Sequence, residues 1–262
     1  MCCLFGFIDY AGALSVTQKS RLIRELSIAA EVRGTDATGV AYNSSRGLQI
    51  YKRPLAAHRL HLRIPAEARA VMGHTRMTTQ GSAKKNYNNH PFFGHVKEES
   101  FALAHNGVLW NDLELRHAKH LPRTKVQTDS YIAVQLLEQK KSLDFDSLRY
   151  MAEQVEGSFS FTVLDEQSAL WIVKGDSPLS IAYFPERGVY VYASTVEILN
   201  KALTRCGKQL GHRRTVEVEM GDLLKIDRRG HITRATFDTS KFCRPSWDYW
   251  GASLYAEPPK TE

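Results

Sequence analysis

Apolar positions along the chain fall into short runs whose spacing alternates between the strand and helix periods. Cys3 to Ile8 is a continuous apolar run of strand length, ended by Asp9 and Gly12. Ser15 with Gln18 three residues on is a capping-box pattern. It opens a helix whose apolar face is Leu22, Ile23, Leu26, Ala30 and Val32, and which Gly34 stops. Gly39 to Tyr42 and Leu48 to Tyr51 read as strands joined by the turn residues Asn43, Ser44, Ser45 and Gly47. Ala70 to His74 and Phe101 to His105 read as two further buried strands. Between them Thr78 to Asn89 is polar and aperiodic, which predicts a loop slung between core strands. Helical spacing returns at Leu113 to His120, Asp129 to Gln139 and Asp146 to Val155. Phe159, Phe161 and Val163 then alternate with Ser158, Ser160 and Thr162. Strands at Leu170 to Lys174, Ser180 to Phe184 and Val189 to Tyr192, a helix from Val196 to Arg205, and strands at Val216 to Val218 and Leu223 to Ile226 complete the pattern. The mixture predicts an α+β domain with largely antiparallel sheets.

Composition narrows the class. At 262 residues with 43% hydrophobic residues, the chain buries a core without staples and is too apolar for disorder. No apolar run approaches the ~18 residues of a membrane span, so no membrane partner is expected. Lys plus Arg number 35 against 28 Asp plus Glu, a net +7 that favours anions only mildly. The basic cluster Lys208, Arg213, Arg214, Arg228, Arg229 and Arg234 lacks interleaved aromatics, so it reads as a solvated face rather than a nucleic-acid surface. The four cysteines, Cys2, Cys3, Cys206 and Cys243, form no C-x-x-C pair, and no basic leader precedes the first apolar run. Both features predict a reducing, cytoplasmic setting. Residues 1–240 read as one domain and 241–262 as an irregular C-terminal tail. Trp247, Tyr249, Trp250 and Tyr255 in that tail are of types enriched at interfaces.

Cys2 is the first candidate for chemistry. A small second residue invites removal of the initiator methionine, which leaves a thiol and a free α-amine on one residue. Such an amine has a pKa of about 7.7–8.0, close to the working range of a general base. The alternative is a small buried strand residue. Arg76 closes one strand facing the polar loop, and an arginine fork holds a carboxylate bidentately. Asn106-Gly107 follows another strand and offers an amide side chain beside a backbone N–H, the parts of an oxyanion hole. The same Asn-Gly pair is also a hairpin signal. Asp129 stands at a predicted helix start, where it could hold an ammonium. His74, His90, His95 and His105 match no metal-ligand spacing and read as core or loop histidines.

In order along the chain, Cys2-Cys3-Leu4-Phe5-Gly6, Arg33-Gly34-Thr35-Asp36-Ala37-Thr38-Gly39, His74-Thr75-Arg76, Asn89-His90-Pro91-Phe92, His105-Asn106-Gly107 and Thr128-Asp129 resemble the class II glutamine amidotransferases. These are N-terminal-nucleophile hydrolases. The nearest likeness is to the glutaminase domain of glucosamine-6-phosphate synthase. Glu156-Gly157, Gly175-Asp176-Ser177-Pro178-Leu179, Ala193-Ser194 and Met220-Gly221-Asp222 extend the likeness to about residue 240. The resemblance implies a four-layer αββα sandwich of two stacked antiparallel sheets. It implies Cys2 as nucleophile, Arg76 on the glutamine α-carboxylate, Asp129 on the α-ammonium, and Asn106 with Gly107 as oxyanion hole. Arg33 falls near the nucleophile, and Thr79 and Gln80 line the glutamine pocket. The implied reaction is hydrolysis of L-glutamine to L-glutamate and ammonia through a γ-glutamyl thioester, without metal or organic cofactor.

The sequence departs from the family pattern in three places. Cys3 stands where glycine is usual, Met77 where tryptophan is frequent and Gln80 where histidine is frequent. The last two fall on the glutamine loop and bear on how the pocket closes. Nothing after residue 240 resembles an acceptor domain, which suggests a stand-alone glutaminase that feeds a separate synthetase. The other readings are a non-catalytic glutamine-sensing module and a hydrolase of another γ-glutamyl or acyl amide.

Overall fold

The N-terminal apolar run becomes β1 (Cys3–Asp9), all of it buried. It has no polar face because a different core covers each side. Cys3, Phe5 and Phe7 pack into one hydrophobic cluster, while Leu4 and Ile8 pack into another. This alternation in a computed structural model, which describes residues 2–243, already defines layers. The chain continues through α1 (Val16–Ala30), β2 (Ala37–Ser44), β3 (Gly47–Arg53), β4 (Ala70–Arg76), β5 (Phe92–Val96) and β6 (Glu99–Leu109). Three helices follow, α2 (Asp112–Ala118), α3 (Tyr131–Lys140) and α4 (Phe145–Gln154). After β7 (Gly157–Asp165), β8 (Leu170–Lys174), β9 (Ser180–Phe184) and β10 (Val189–Ala193) come α5 (Val196–Cys206), β11 (Arg214–Val216), β12 (Asp222–Ile226) and β13 (Ile232–Thr236).

The strands form two sheets, ordered β11-β9-β10-β1-β4-β2-β3 and β13-β12-β8-β7-β6-β5. Neighbouring strands pair antiparallel throughout. The sheets face each other across Leu4, Ile8, Met72, Ala102, Ala104, Leu164 and Ile172. Helices α1 and α5 cover the outer face of the first sheet through Leu22, Ile23, Leu26, Ile198 and Ala202. The second sheet is covered by α3 and α4 through Ile132, Leu136, Leu148 and Met151. The expected αββα sandwich is present.

The capping box is real: the Ser15 hydroxyl accepts from the Gln18 N–H while Gln18 Oε1 accepts from the Ser15 N–H. Other local expectations fail for tertiary reasons. The helix ends at Ala30, and Val32, expected on its apolar face, is 76% exposed in the 3₁₀ turn that follows. Ser160 and Thr162, the polar alternates of β7, are as buried as Phe161, because both faces of a sandwiched sheet are covered. The expected strand at Val216 to Val218 runs instead over Arg214–Val216, and β5 and β13 had no separate signal. Asn106 and Gly107 do not follow a strand but lie inside β6, opposite Ser160 and Phe159 of β7, so they are no hairpin turn. Met1 and the aromatic tail beyond Cys243 lie outside the described residues.

Candidate active site

The candidate residues meet at one end of the sandwich. Cys3, the first residue of β1, pairs with Thr75, so Cys2 just ahead of the strand lies beside Arg76, the last residue of β4. The Cys2 thiol is buried and donates to the Met77 carbonyl at 3.6 Å, while Arg33 Nε donates to the Cys2 carbonyl at 2.8 Å. Across the sandwich, His74 Nε2 lies 3.0 Å from the carbonyl of His105, which joins β4 to β6 one residue before Asn106. That contact brings the Arg76 end of β4 and the Asn106–Gly107 segment of β6 to the same level.

Burial pushes the Cys2 thiol above its ordinary pKa, while the Met77 contact, the nearby chain amine and the Arg76 guanidinium pull it down and Asp129 pushes it up. The thiol therefore rests protonated and needs a base. Cys3 is different in kind. Its side chain is fully buried in the α1-facing core, its Sγ contacts the Leu4 carbonyl at 3.3 Å, and desolvation holds its pKa at about 11.

Arg76 is buried and already engaged. One terminal nitrogen donates to Asn89 Oδ1 at 2.7 Å; the other donates to the carbonyls of Gln80 and, at 3.1 Å, Gly81. Gln80 also turns its side-chain oxygen to the Asp129 N–H at 2.9 Å. The loop residue thus bridges the two groups expected to hold an amino acid. Thr79 is exposed on the same loop, without a described pocket contact. Asp129 is buried two residues ahead of α3 rather than in its first turn, and its Oδ2 accepts from the Leu109 N–H at 2.7 Å. Asp36, which the sequence reading passed over, accepts from the Thr78 N–H at 2.8 Å and pins the base of the loop. Its place in the Arg33-Gly34-Thr35-Asp36 run was the available signal.

Asn106 stands apart. It is 1% exposed, yet among the described residues neither its side-chain nitrogen nor its oxygen has a hydrogen-bond partner. An unpaired buried carboxamide costs roughly 1–3 kcal/mol, so it marks a group kept ready for something that binds. Next to it Gly107 has φ +144°, and a Cβ there would lie 1.8 Å from the Ser158 carbonyl oxygen. Only glycine lets β6 run this close to β7.

Behind the site three imidazoles are buried together. The rings of His74 and His90 are tilted by 34° with centroids 4.2 Å apart, and His105 stacks on Phe161 at 4.6 Å. Desolvation lowers all three pKa values, that of His74 to about 3. Lys52 closes this wall by donating to the Asn89 and Pro91 carbonyls at 2.5 and 2.9 Å, and burial lowers its pKa to about 8. Among the described residues no cluster of His, Cys, Asp or Glu has the makings of a metal site, and no helix is long and apolar enough to cross a membrane.

Known proteins resemble this arrangement. A family model described as a glutamine amidotransferase domain matches residues 74–201, a span that holds Arg76, Asn106, Gly107 and Asp129. Glutamine–fructose-6-phosphate aminotransferase (isomerizing) from Thermus thermophilus is 29% identical over 238 residues, covering 88% of this chain and 36% of that one. The enzyme of the same name from Halalkalibacterium halodurans is 30% identical over 205 residues, 74% of this chain and 32% of that one. The chain thus spans about a third of the length of these relatives. Among solved structures, glutamine phosphoribosylpyrophosphate amidotransferase from B. subtilis superposes with a TM-score of 0.67 at 21% identity, covering 90% of this chain and 49% of that one. A predicted glutamine amidotransferase from Pseudomonas aeruginosa gives a TM-score of 0.51 at 16% identity, covering 88% of this chain and 94% of its own. The structural likenesses show the fold, and the family model names the kind of domain that residues 74–201 match. With its stacked antiparallel sheets and a cysteine at the head of the central strand, the chain resembles the class II glutamine amidotransferases, and its residues 74–201 match a glutamine amidotransferase domain.

Proposed function

We propose that the protein hydrolyses L-glutamine to L-glutamate and ammonia, with Cys2 as nucleophile after removal of Met1. Arg76 receives the α-carboxylate in place of the Gln80 and Gly81 carbonyls that occupy it in the free protein. Asp129 receives the α-ammonium. The Cys2 amine takes the thiol proton, the sulfur attacks the γ-amide carbon, and the Asn106 amide and Gly107 N–H receive the oxygen as its charge develops. The amine returns the proton to the leaving nitrogen, ammonia departs, and water hydrolyses the γ-glutamyl thioester. The residues present supply every acid, base and donor for these steps, so no cofactor is invoked.

The observation that supports this reading best is the unpaired, buried Asn106 carboxamide beside Gly107. No described residue bonds that amide. A raised thiol pKa fits the same reading, since it calls for a local base rather than a preformed thiolate. The product ammonia would serve a separate synthetase, and the free thiols Cys2, Cys3 and Cys206 suit a cytoplasmic site of action.

Glutamate release by the purified protein is the test. Activity should vanish in Cys2→Ala and persist in Cys3→Ala, because the Cys3 sulfur is buried in the α1-facing core. Intact mass should show that Met1 is gone. Retained Met1 with glutamine binding but no turnover would favour a sensing module instead.

A further inference from the structure

Asp129 is not held by its own backbone alone. Its Oδ1 accepts from the Ser130 hydroxyl at 3.3 Å, and Ser130 Oγ lies 2.8 Å from His105 Nδ1. His105 directly precedes Asn106, and its ring is clamped by stacking on Phe161 and by the His74 contact to its carbonyl. The Leu109 N–H, three residues further along β6, holds the other carboxylate oxygen. Two side chains that no step of the reaction touches therefore link the carboxylate to the strand that carries Asn106 and Gly107. All three linking groups, Asp129, Ser130 and His105, are at most 4% exposed, so water does not compete for these bonds.

We infer that Ser130 and His105 are positioning residues that fix the ammonium-binding carboxylate of Asp129 at a set distance from the oxyanion donors on β6. This rests on the roles given to Asp129 and Asn106 above. The hydrogen arrangement follows from what each atom offers. A carboxylate only accepts, so the single Ser130 hydrogen goes to Asp129 Oδ1. Ser130 Oγ then accepts from His105, which places the imidazole hydrogen on Nδ1. The other tautomer would let Nε2 donate to the Ser158 carbonyl at 3.4 Å but would take the Ser130 hydrogen away from Asp129, so the Nδ1–H form gives up that long neutral contact to keep the charge-assisted one. A neutral ring is what its buried setting favours. Amide end and ammonium end of the ligand are thereby gauged by one strand, β6, rather than by two independently moving segments.

The experiment compares glutamine with glutaramate, the same chain bearing carboxylate and ω-amide but no α-amine. Ser130→Ala should raise the KM for glutamine about tenfold, the worth of one charge-assisted hydrogen bond, and leave kcat nearly unchanged. The kinetics on glutaramate should not move, since that ligand offers Asp129 nothing to hold. Ser130→Thr should restore the glutamine KM, and Ser130→Cys, near in size with a poor donor, should behave like alanine. Nitrogen NMR of the imidazoles should place the His105 hydrogen on Nδ1 in the parent and shift it to Nε2 in Ser130→Ala. Equal losses on both substrates would assign Ser130 a merely structural part and overturn the inference, as would an unaltered glutamine KM. A parent enzyme that hydrolyses neither substrate would instead sink the glutaminase reading itself.

Discussion

At the scale of single residues, the candidate site is built from groups whose surroundings disfavour their ordinary state. Asn106 is the sharpest case. Its unpaired amide costs the folded protein stability while keeping two polar atoms in place for a ligand. Asn106→Ala should consequently lower kcat by roughly 10²–10³-fold, the usual effect of losing an oxyanion donor. The same variant should melt no lower than the parent, because the alanine leaves no orphaned polar group. Parallel turnover assays and thermal melts check both halves, and a large loss of stability would show that the amide has a structural partner after all.

The buried histidines give a pH prediction at this scale. A folded pKa of about 3 for His74, against an ordinary value near 6.5, means that the unfolded chain binds a proton the folded one refuses. Stability from this group is complete above about pH 6.5 and is lost as pH falls towards 3, with a slope of up to about 1.4 kcal/mol per unit. His90 and His105 are lowered in the same direction and add to the loss. The imidazole carbon signals of His74 should stay fixed between about pH 7.5 and 5, where ordinary histidines titrate. Titration of His74 with a midpoint near 6.5 would mean that the wall behind Arg76 is wet.

At the scale of elements, what matters is how strand ends present their residues. The local pattern found most elements and nearly every candidate residue, but not their register. Asn106-Gly107 carries a turn signal, and the structure places it mid-strand because β7 supplies a partner for every residue from Phe101 to Leu109. Pairing between strands distant in the chain overrode a two-residue preference. Asp129 likewise falls short of its helix, since its carboxylate is committed to the Leu109 N–H. Gly107 is where element geometry is most exacting. Gly107→Ala should destabilise the β6–β7 ladder by several kcal/mol and so abolish activity through folding, since the new methyl would collide with backbone that cannot yield. Loss of cooperative melting together with turnover is the expected result, and a well-folded Gly107→Ala would show that β6 relaxes away from β7.

For the whole molecule, four layers carry charged side chains into the interior, where they must find partners. Lys19 of α1 reaches the end of β1 and meets Asp9 at 3.3 Å, with both side chains at most 1% exposed. Its ammonium also donates to the Ala66 and Ala68 carbonyls at 2.8 Å, so one side chain ties helix, strand and the segment entering β4. Lys19→Met would strand the Asp9 carboxylate and should cost about 3–5 kcal/mol in urea unfolding. This lies at the far end of β1 from Cys2, so glutamine turnover at low temperature should survive. A cost below about 1 kcal/mol would mean that Asp9 is satisfied by the Ala13 and Leu14 N–H groups alone.

The chain by itself determined the period of each segment, the capping box of the first helix and the residue types proposed above as nucleophile, carboxylate clamp and oxyanion hole. Those are properties of neighbouring residues and of ordered motifs, which a linear pattern can express. Only the tertiary structure decided that Ser160 and Thr162 are core, that Cys3 is sequestered while the Cys2 thiol meets the Met77 carbonyl beside Arg76, and that Gln80 spans Arg76 and Asp129. It also decided that Ser130 and His105 bind the carboxylate to β6. Each of these depends on which strands of two stacked sheets come to lie side by side, and that pairing joins residues too far apart in the chain for any local rule to link.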